Sequence, residues 1–162
     1  MRRVVPLLVL ALLVAGCGWR PAGSLGVAGL EGTRVVDAAG STRVAYELGR
    51  QLALAGVSDV TADGSPRRTL RILSEEFTER PLTITAGARV GEFEILGRVT
   101  WELLDPAGEV LIPPRTVSAE ALYLRDQTNL LGSREEQRRL ESELRDQLVR
   151  RILDAVAVVD GA

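Results

Sequence analysis

The chain contains no histidine and no lysine; all 20 of its basic residues are arginines. These absences remove a histidine general base, a Ser-His or Cys-His nucleophile pair, a Schiff-base lysine and any histidine-ligated metal. Cys17 is the single cysteine, which excludes an internal disulfide and a cysteine-rich zinc site. No metal or cofactor is expected. The formal charge is −2, so nothing drives the chain electrostatically toward nucleic acid. Aromatics make up 4% of the 162 residues, beside 46% hydrophobic and 26% charged residues. That balance fits an ordinary folded domain and excludes a disordered tail, a collagen-like repeat or a multi-pass membrane protein. Hydrolase chemistry would have to rest on Glu75-Glu76 or Glu135-Glu136. Adjacent acids point to opposite faces of a strand and lie about 100° apart on a helix, so neither pair converges on a substrate. The first reads as a solvated strand end and the second as helix-cap chemistry. The sequence argues against an enzyme.

What is present begins at the N-terminus. Arg2 and Arg3 precede an apolar run from Val4 to Val14, interrupted only by Pro6. The run falls short of the about 20 residues needed to cross a hydrocarbon core, and reads as the apolar region of a secretory signal. Val14-Ala15-Gly16-Cys17 resembles a bacterial lipobox, in which the cysteine thiol is alkylated with diacylglycerol and becomes the first residue of the mature protein. Residues 1–16 are then a signal peptide, and Cys17 is the lipid-attachment site. Each buried acyl methylene contributes about 0.8 kcal/mol, so several chains anchor a protein durably. Gly18, rather than Asp, follows the cysteine and favours the outer membrane over the inner. Five glycines and Pro21 make residues 17–32 read as a flexible tether. Residues 33–160 remain as one domain.

Arg34-Val35-Val36 reads as a short strand. Ser41 reads as the N-cap of a helix to Ala55, with Val44, Leu48, Leu52 and Ala55 at helical spacing and Gly56 as its stop. Val57 to Thr61 is expected to be a second strand, giving a β-α-β opening. Asp63-Gly64-Ser65-Pro66 is a turn. Further strands are expected at Thr69 to Phe77, Leu82 to Thr85 and Glu92 to Asp105. In the last of these, Phe93, Ile95, Val99, Trp101 and Leu103 share one face, opposite Glu94, Arg98, Thr100 and Glu102. Asp105-Pro106-Ala107-Gly108 is a tight-turn sequence. The return strand falls into Glu109 to Ile112 and Thr116 to Arg125. The Pro113-Pro114 pair between them cannot sit in a central ladder and marks an edge, bulge or bend. Ser133-Arg134-Glu135-Glu136 reads as a capping box opening a helix whose stripe is Leu140, Leu144, Leu148, Ile152 and Val156. The fold expected is α+β: two helices packed on one face of a mostly antiparallel or mixed sheet of about four to five strands.

Cys17-Gly18-Trp19 followed by a basic residue, the run Leu48 to Val57, Gly91-Glu92-Phe93-Glu94-Ile95, and the stretch Asn129 to Val156 with Glu135-Glu136-Gln137 occur in an order that resembles the LptE family of lipopolysaccharide-assembly lipoproteins. The resemblance implies a non-enzymatic partner of the β-barrel LptD. Such a protein sits partly in the barrel lumen, faces the periplasm, is held in the outer membrane through acylated Cys17, and helps deliver lipopolysaccharide to the outer leaflet. It also implies contact with lipopolysaccharide through basic residues. Guanidinium groups bind phosphate in bidentate fashion, and Arg89 in the hairpin loop and Arg134 at the helix start are the candidates, ahead of Arg98 and Arg115. A mixed-charge surface suits a polar barrel lumen. The alternative is a pilotin-like or other envelope lipoprotein that chaperones a different outer-membrane barrel.

Overall fold

The structure, a computed structural model, describes residues 29–40, 42–83 and 90–161. Strand β1 (Thr33–Asp37) leads into helix α1 (Arg43–Leu54), followed by three long strands, β2 (Arg68–Thr83), β3 (Val90–Leu104) and β4 (Val110–Asp126). Helix α2 (Leu130–Ala157) and a 3-10 turn (Val158–Gly161) end the described chain. The strands form one four-stranded sheet in the order β1-β2-β3-β4. β1 runs parallel to β2, and the other pairs are antiparallel. This is the expected α+β architecture, with two helices over a mixed sheet.

The period-two pattern of β3 places Ile95, Val99, Trp101 and Leu103 in the core with Leu70 and Ile72 of β2. Leu144, Leu148, Ile152 and Val156 of α2 meet them there, together with Val44, Leu48 and Leu52 of α1. Gly97 shares the inner face of β3. A Cβ at this position would lie 2.8 Å from the Phe77 ring and 3.2 Å from Leu148 Cδ1. The missing side chain is what allows α2 to lie this close to the sheet.

Several local expectations give way to long-range contacts. Val57 to Thr61 forms no strand. Gly56, at φ +75°, ends α1, and Val57 donates its amide to Leu52 O at 2.9 Å while its side chain turns into the core. Its apolar character serves the contact that follows a helix C-cap rather than a ladder. β1 therefore pairs directly with β2. Leu82 and Thr83 extend β2 instead of forming a separate strand. Beyond Ile72, β1 no longer flanks β2, so Pro81 lies where its missing amide removes no second ladder bond. The two parts of the return strand are one strand, β4. Its register shifts between Trp101↔Arg115 and Leu103↔Ile112, so the proline pair occupies a bulge on the sheet edge.

The helix caps also differ. Ser41 lies outside the described residues, and Thr42 caps α1, its Oγ1 accepting the Ala45 amide at 3.3 Å. α2 begins a turn before the expected box, with Asn129 Oδ1 accepting from the Gly132 amide at 3.1 Å. Glu135 and Glu136 consequently lie beyond the first turn and pair with Arg138 and Arg139. At the other end of the chain, Leu30 is 2% exposed and belongs to the core. Gly32 adopts φ +71°, and a Cβ there would lie 2.7 Å from Arg67 Cβ. The last residues read as tether are part of the packed body.

Two outcomes test this packing. A chain beginning at Gly29 should keep its urea midpoint, whereas one beginning at Thr33 should lose about 2–5 kcal/mol with the Leu30 side chain. Gly97→Ala should cost about 1–3 kcal/mol by overpacking. An unchanged midpoint for Gly97→Ala would mean that α2 does not rest on that position.

Candidate functional site

The β2–β3 hairpin, the end of β4 and the start of α2 converge on one end of the sheet. Val90 pairs with Asp126, and the chain turns through Thr128 and Asn129 into α2. The Asp126 carboxylate accepts from the Thr128 hydroxyl at 2.6 Å and the Thr128 amide at 2.7 Å. These donors hold its pKa below the ordinary value, so it is a fixed acceptor at neutral pH. Ser133, buried in the second turn of α2, accepts the Asp126 amide at 3.0 Å and returns its hydroxyl to the Asp126 carbonyl at 3.3 Å. This double link fixes the helix start against the sheet, and with it the neighbouring Arg134.

Arg134 is exposed. Its carbonyl accepts from Arg138 Nε at 3.3 Å, and no ion pair engages its guanidinium among the described residues. Arg89 and Cys17 lie outside the described residues. Arg89 directly precedes Val90, the residue of β3 that pairs with Asp126 at the end where Arg134 sits. Arg98 and Arg115 are not brought there. Arg98 lies eight residues along β3 from Val90, roughly 26 Å at strand spacing, and pairs with Glu76 at 3.8 Å. Arg115 is exposed on β4 opposite Trp101, at the proline bulge.

Just inside this end, Arg125 is already engaged. It bonds Glu79 and the Tyr123 hydroxyl, and its guanidinium stacks 4.2 Å above the Phe93 ring. Burial pushes the Tyr123 phenol pKa up, keeping it a neutral donor and acceptor. The sheet face away from the helices carries a ladder of opposite charges: Arg80 with Glu94, Arg98 with Glu76, and Arg71 with Glu102 at 2.9 Å. The bond from Arg80 holds the Glu94 carboxyl below its ordinary pKa. Towards the hairpin end the same face becomes apolar, with Leu122 57% and Leu124 66% exposed. Leu130 and Leu131 are exposed at the start of α2. Leu130 and Leu131 stand one turn before Arg134 on the same helix, whereas Leu122 and Leu124 lie on the other face of the sheet.

Leu122 and Leu124 were not singled out in the sequence; they alternate with buried Tyr123 along β4 and lie on the uncovered face. Glu75 was missed as well. It is no solvated strand end: it bonds Arg145 Nε at 2.9 Å and accepts the Val44 amide at the start of α1 at 3.1 Å. Arg145 in turn lies 4.4 Å over the Phe77 ring. Glu76 is the solvated member of the pair.

The family model of LptE, lipopolysaccharide-assembly, matches residues 31–156. The chain belongs to the LptE family. The family's work is assembly, not catalysis. Three solved lipoproteins share the LptE-like fold. Rare lipoprotein B from Shewanella oneidensis is 21% identical with a TM-score of 0.64, over 79% of this chain and 95% of that one. Lipoprotein B from Nitrosomonas europaea is 21% identical with a TM-score of 0.61, over 80% and 84%. A minor lipoprotein from Acinetobacter baumannii is 21% identical with a TM-score of 0.58, over 78% and 90%. No curated protein matches the chain in sequence.

The Glu75 strap predicts a contrast between adjacent carboxylates. Removing one partner of a fully buried pair costs about 3–5 kcal/mol. Glu75 and Arg145 keep slight exposure, so Glu75→Gln should cost about 1–3 kcal/mol. Glu76→Gln should stay within about 0.5 kcal/mol of the parent in urea unfolding. Equal effects would show that Glu75 carries no special load.

Proposed function

We propose that the protein is an outer-membrane lipoprotein, acylated at Cys17, that partners the LptD β-barrel in assembling lipopolysaccharide into the outer leaflet. The match to the LptE family over residues 31–156 carries this reading. Membership supports a role in assembly, and the lipobox-like Val14-Ala15-Gly16-Cys17 supports an envelope lipoprotein facing the periplasm. The charge ladder supports a partner with a polar, mixed-charge wall, as the lumen of a barrel provides.

Arg134, and Arg89 just before β3 in the sequence, are proposed to engage the phosphates of lipopolysaccharide, with the exposed Leu130 and Leu131 at the same helix start meeting its acyl chains. Each guanidinium supplies a two-pronged donor that matches a phosphate. The barrel contact depends on a much larger surface than two side chains. The two activities are therefore separable.

Tagged protein purified from solubilised outer membrane should bring LptD with it. Cys17→Ala should abolish fatty-acid labelling. Arg89→Glu and Arg134→Glu should weaken lipopolysaccharide binding several-fold and flatten its salt dependence, while LptD still co-purifies. Recovery of a different barrel would overturn the assignment of partner, and undiminished lipopolysaccharide binding by both variants would remove the arginine site.

A further inference from the structure

A groove of about 330 Å³ runs between β1 and α1 at the opposite end of the molecule from the hairpin tip. Its apolar walls are Val35 on the strand, Leu52 and Ala53 on the helix, and Val57 beyond it. Gly49 opens its middle. This glycine differs from Gly32 and Gly97, where a Cβ would collide with neighbours. At Gly49 a Cβ would meet nothing within 4 Å, and the residue lies inside a regular helix. A mid-helix glycine costs about 0.5–1 kcal/mol relative to alanine, and neither strain nor crowding at this site requires it. Its effect is to leave space.

The described chain begins beside this groove. The Gly32 amide donates to Ser58 O at 3.0 Å, and both Thr33 and Ser58 line the groove. Ten residues before Gly29 stands Trp19, the one aromatic side chain between Cys17 and Gly29. Ten residues of chain reach at most about 33–36 Å, more than the roughly 18 Å length of α1. A tryptophan buries about 150–250 Å² when it packs, and a groove of this volume, with Val35, Leu52, Ala53 and Val57 along its walls and Arg34, Ser58 and Asp59 beside them, accommodates an indole. The rim carries Asp59, exposed and only 3.9 Å from Arg34, while Arg20 follows Trp19 in the chain.

We propose that Trp19 docks in the groove between β1 and α1, with Arg20 meeting the Asp59 carboxylate at its rim. Only Gly18 then separates the docked indole from Cys17, so acyl chains attached there leave the body at β1. β1 pairs with residues 68–72 of β2, and Thr83 lies eleven residues further along that strand, or about 36 Å at strand spacing. The docked segment thus holds a lipid at Cys17 at one end of the sheet and the hairpin tip at the other.

Two tryptophans make the test direct. Trp101 is buried with no partner for its indole N–H among the described residues, so Trp101→Phe removes an unpaired donor and leaves Trp19 as the sole fluorophore. In the full-length acylated protein carrying Trp101→Phe, Trp19 emission should lie to the blue of free tryptophan and resist quenching by acrylamide several-fold. Gly49→Leu, which fills the groove, should return both readings toward those of free tryptophan while the far-ultraviolet circular dichroism is unchanged. Ala53→Glu, at an exposed position on the groove wall, provides a second disruption should the leucine variant misfold. Trp19 quenched as readily as free tryptophan in the Trp101→Phe protein would overturn the proposal. Protection that survives both groove variants would also overturn it, because the indole would then be shielded by the detergent micelle rather than by the groove.

Discussion

At Gly97 the sheet carries no side chain, and the Leu148 methyl of α2 and the Phe77 ring close over the gap. Interior contacts of this kind tolerate almost no added volume, so the distance of α2 from the sheet is limited here by the bare backbone of Gly97. One turn back along the helix, Arg145 then falls over Phe77 and within reach of Glu75. Glu75 spends its second oxygen on the Val44 amide, where a negative charge also complements the positive end of the α1 dipole. A missing side chain in β3 thus fixes one helix, and an ion pair transmits that position to the other.

The same constraint separates the two faces of the sheet. Two helices are enough to cover the face lined by Leu70, Ile72, Val99 and Trp101, and the described chain supplies no element for the other. That face stays soluble by pairing its charges across strands, each pair worth only a fraction of a kcal/mol when exposed. Its edges are blunted too. The proline pair bulges β4, and Arg151 of α2 donates to the Ser118 carbonyl, so β4 offers a broken row of backbone groups to any added strand.

Elements whose cause is local were legible in the sequence. The alternation of β3, the leucine stripe of α2, the stop at Gly56 and the disruption at Pro113-Pro114 each follow from residues a few positions apart. The misreadings share a different physics. Val57 looked like a strand because its side chain is β-branched and apolar, yet its burial depends on the preceding helix. Ser133 looked like a cap because the spacing to Glu136 fits one, yet Asn129 had already started the helix and Ser133 bonds Asp126 of β4. Glu75 finds its partner 70 residues away. Of the proposed phosphate site, only the presence of Arg134 at an exposed helix start could be read in advance. Its attachment to the end of β4 through Ser133 required the fold.

The cations near the hairpin end of the molecule differ in how they are partnered. Most of the arginines near the hairpin end are neutralised by a neighbour: Arg125 by Glu79, Arg80 by Glu94, Arg139 by Glu136 and Glu143. A ligand phosphate would have to break such a pair before binding, and would recover little beyond what it displaced. Arg134 has no ion pair of that kind to break among the described residues, and its backbone is held by the Asp126–Ser133 link. An unpaired cation on a fixed support binds an anion with less loss of freedom than one on a mobile loop. That asymmetry distinguishes Arg134 from the other cations of this surface: the guanidinium carries the charge, and the packing of α2 on Gly97 keeps it in place.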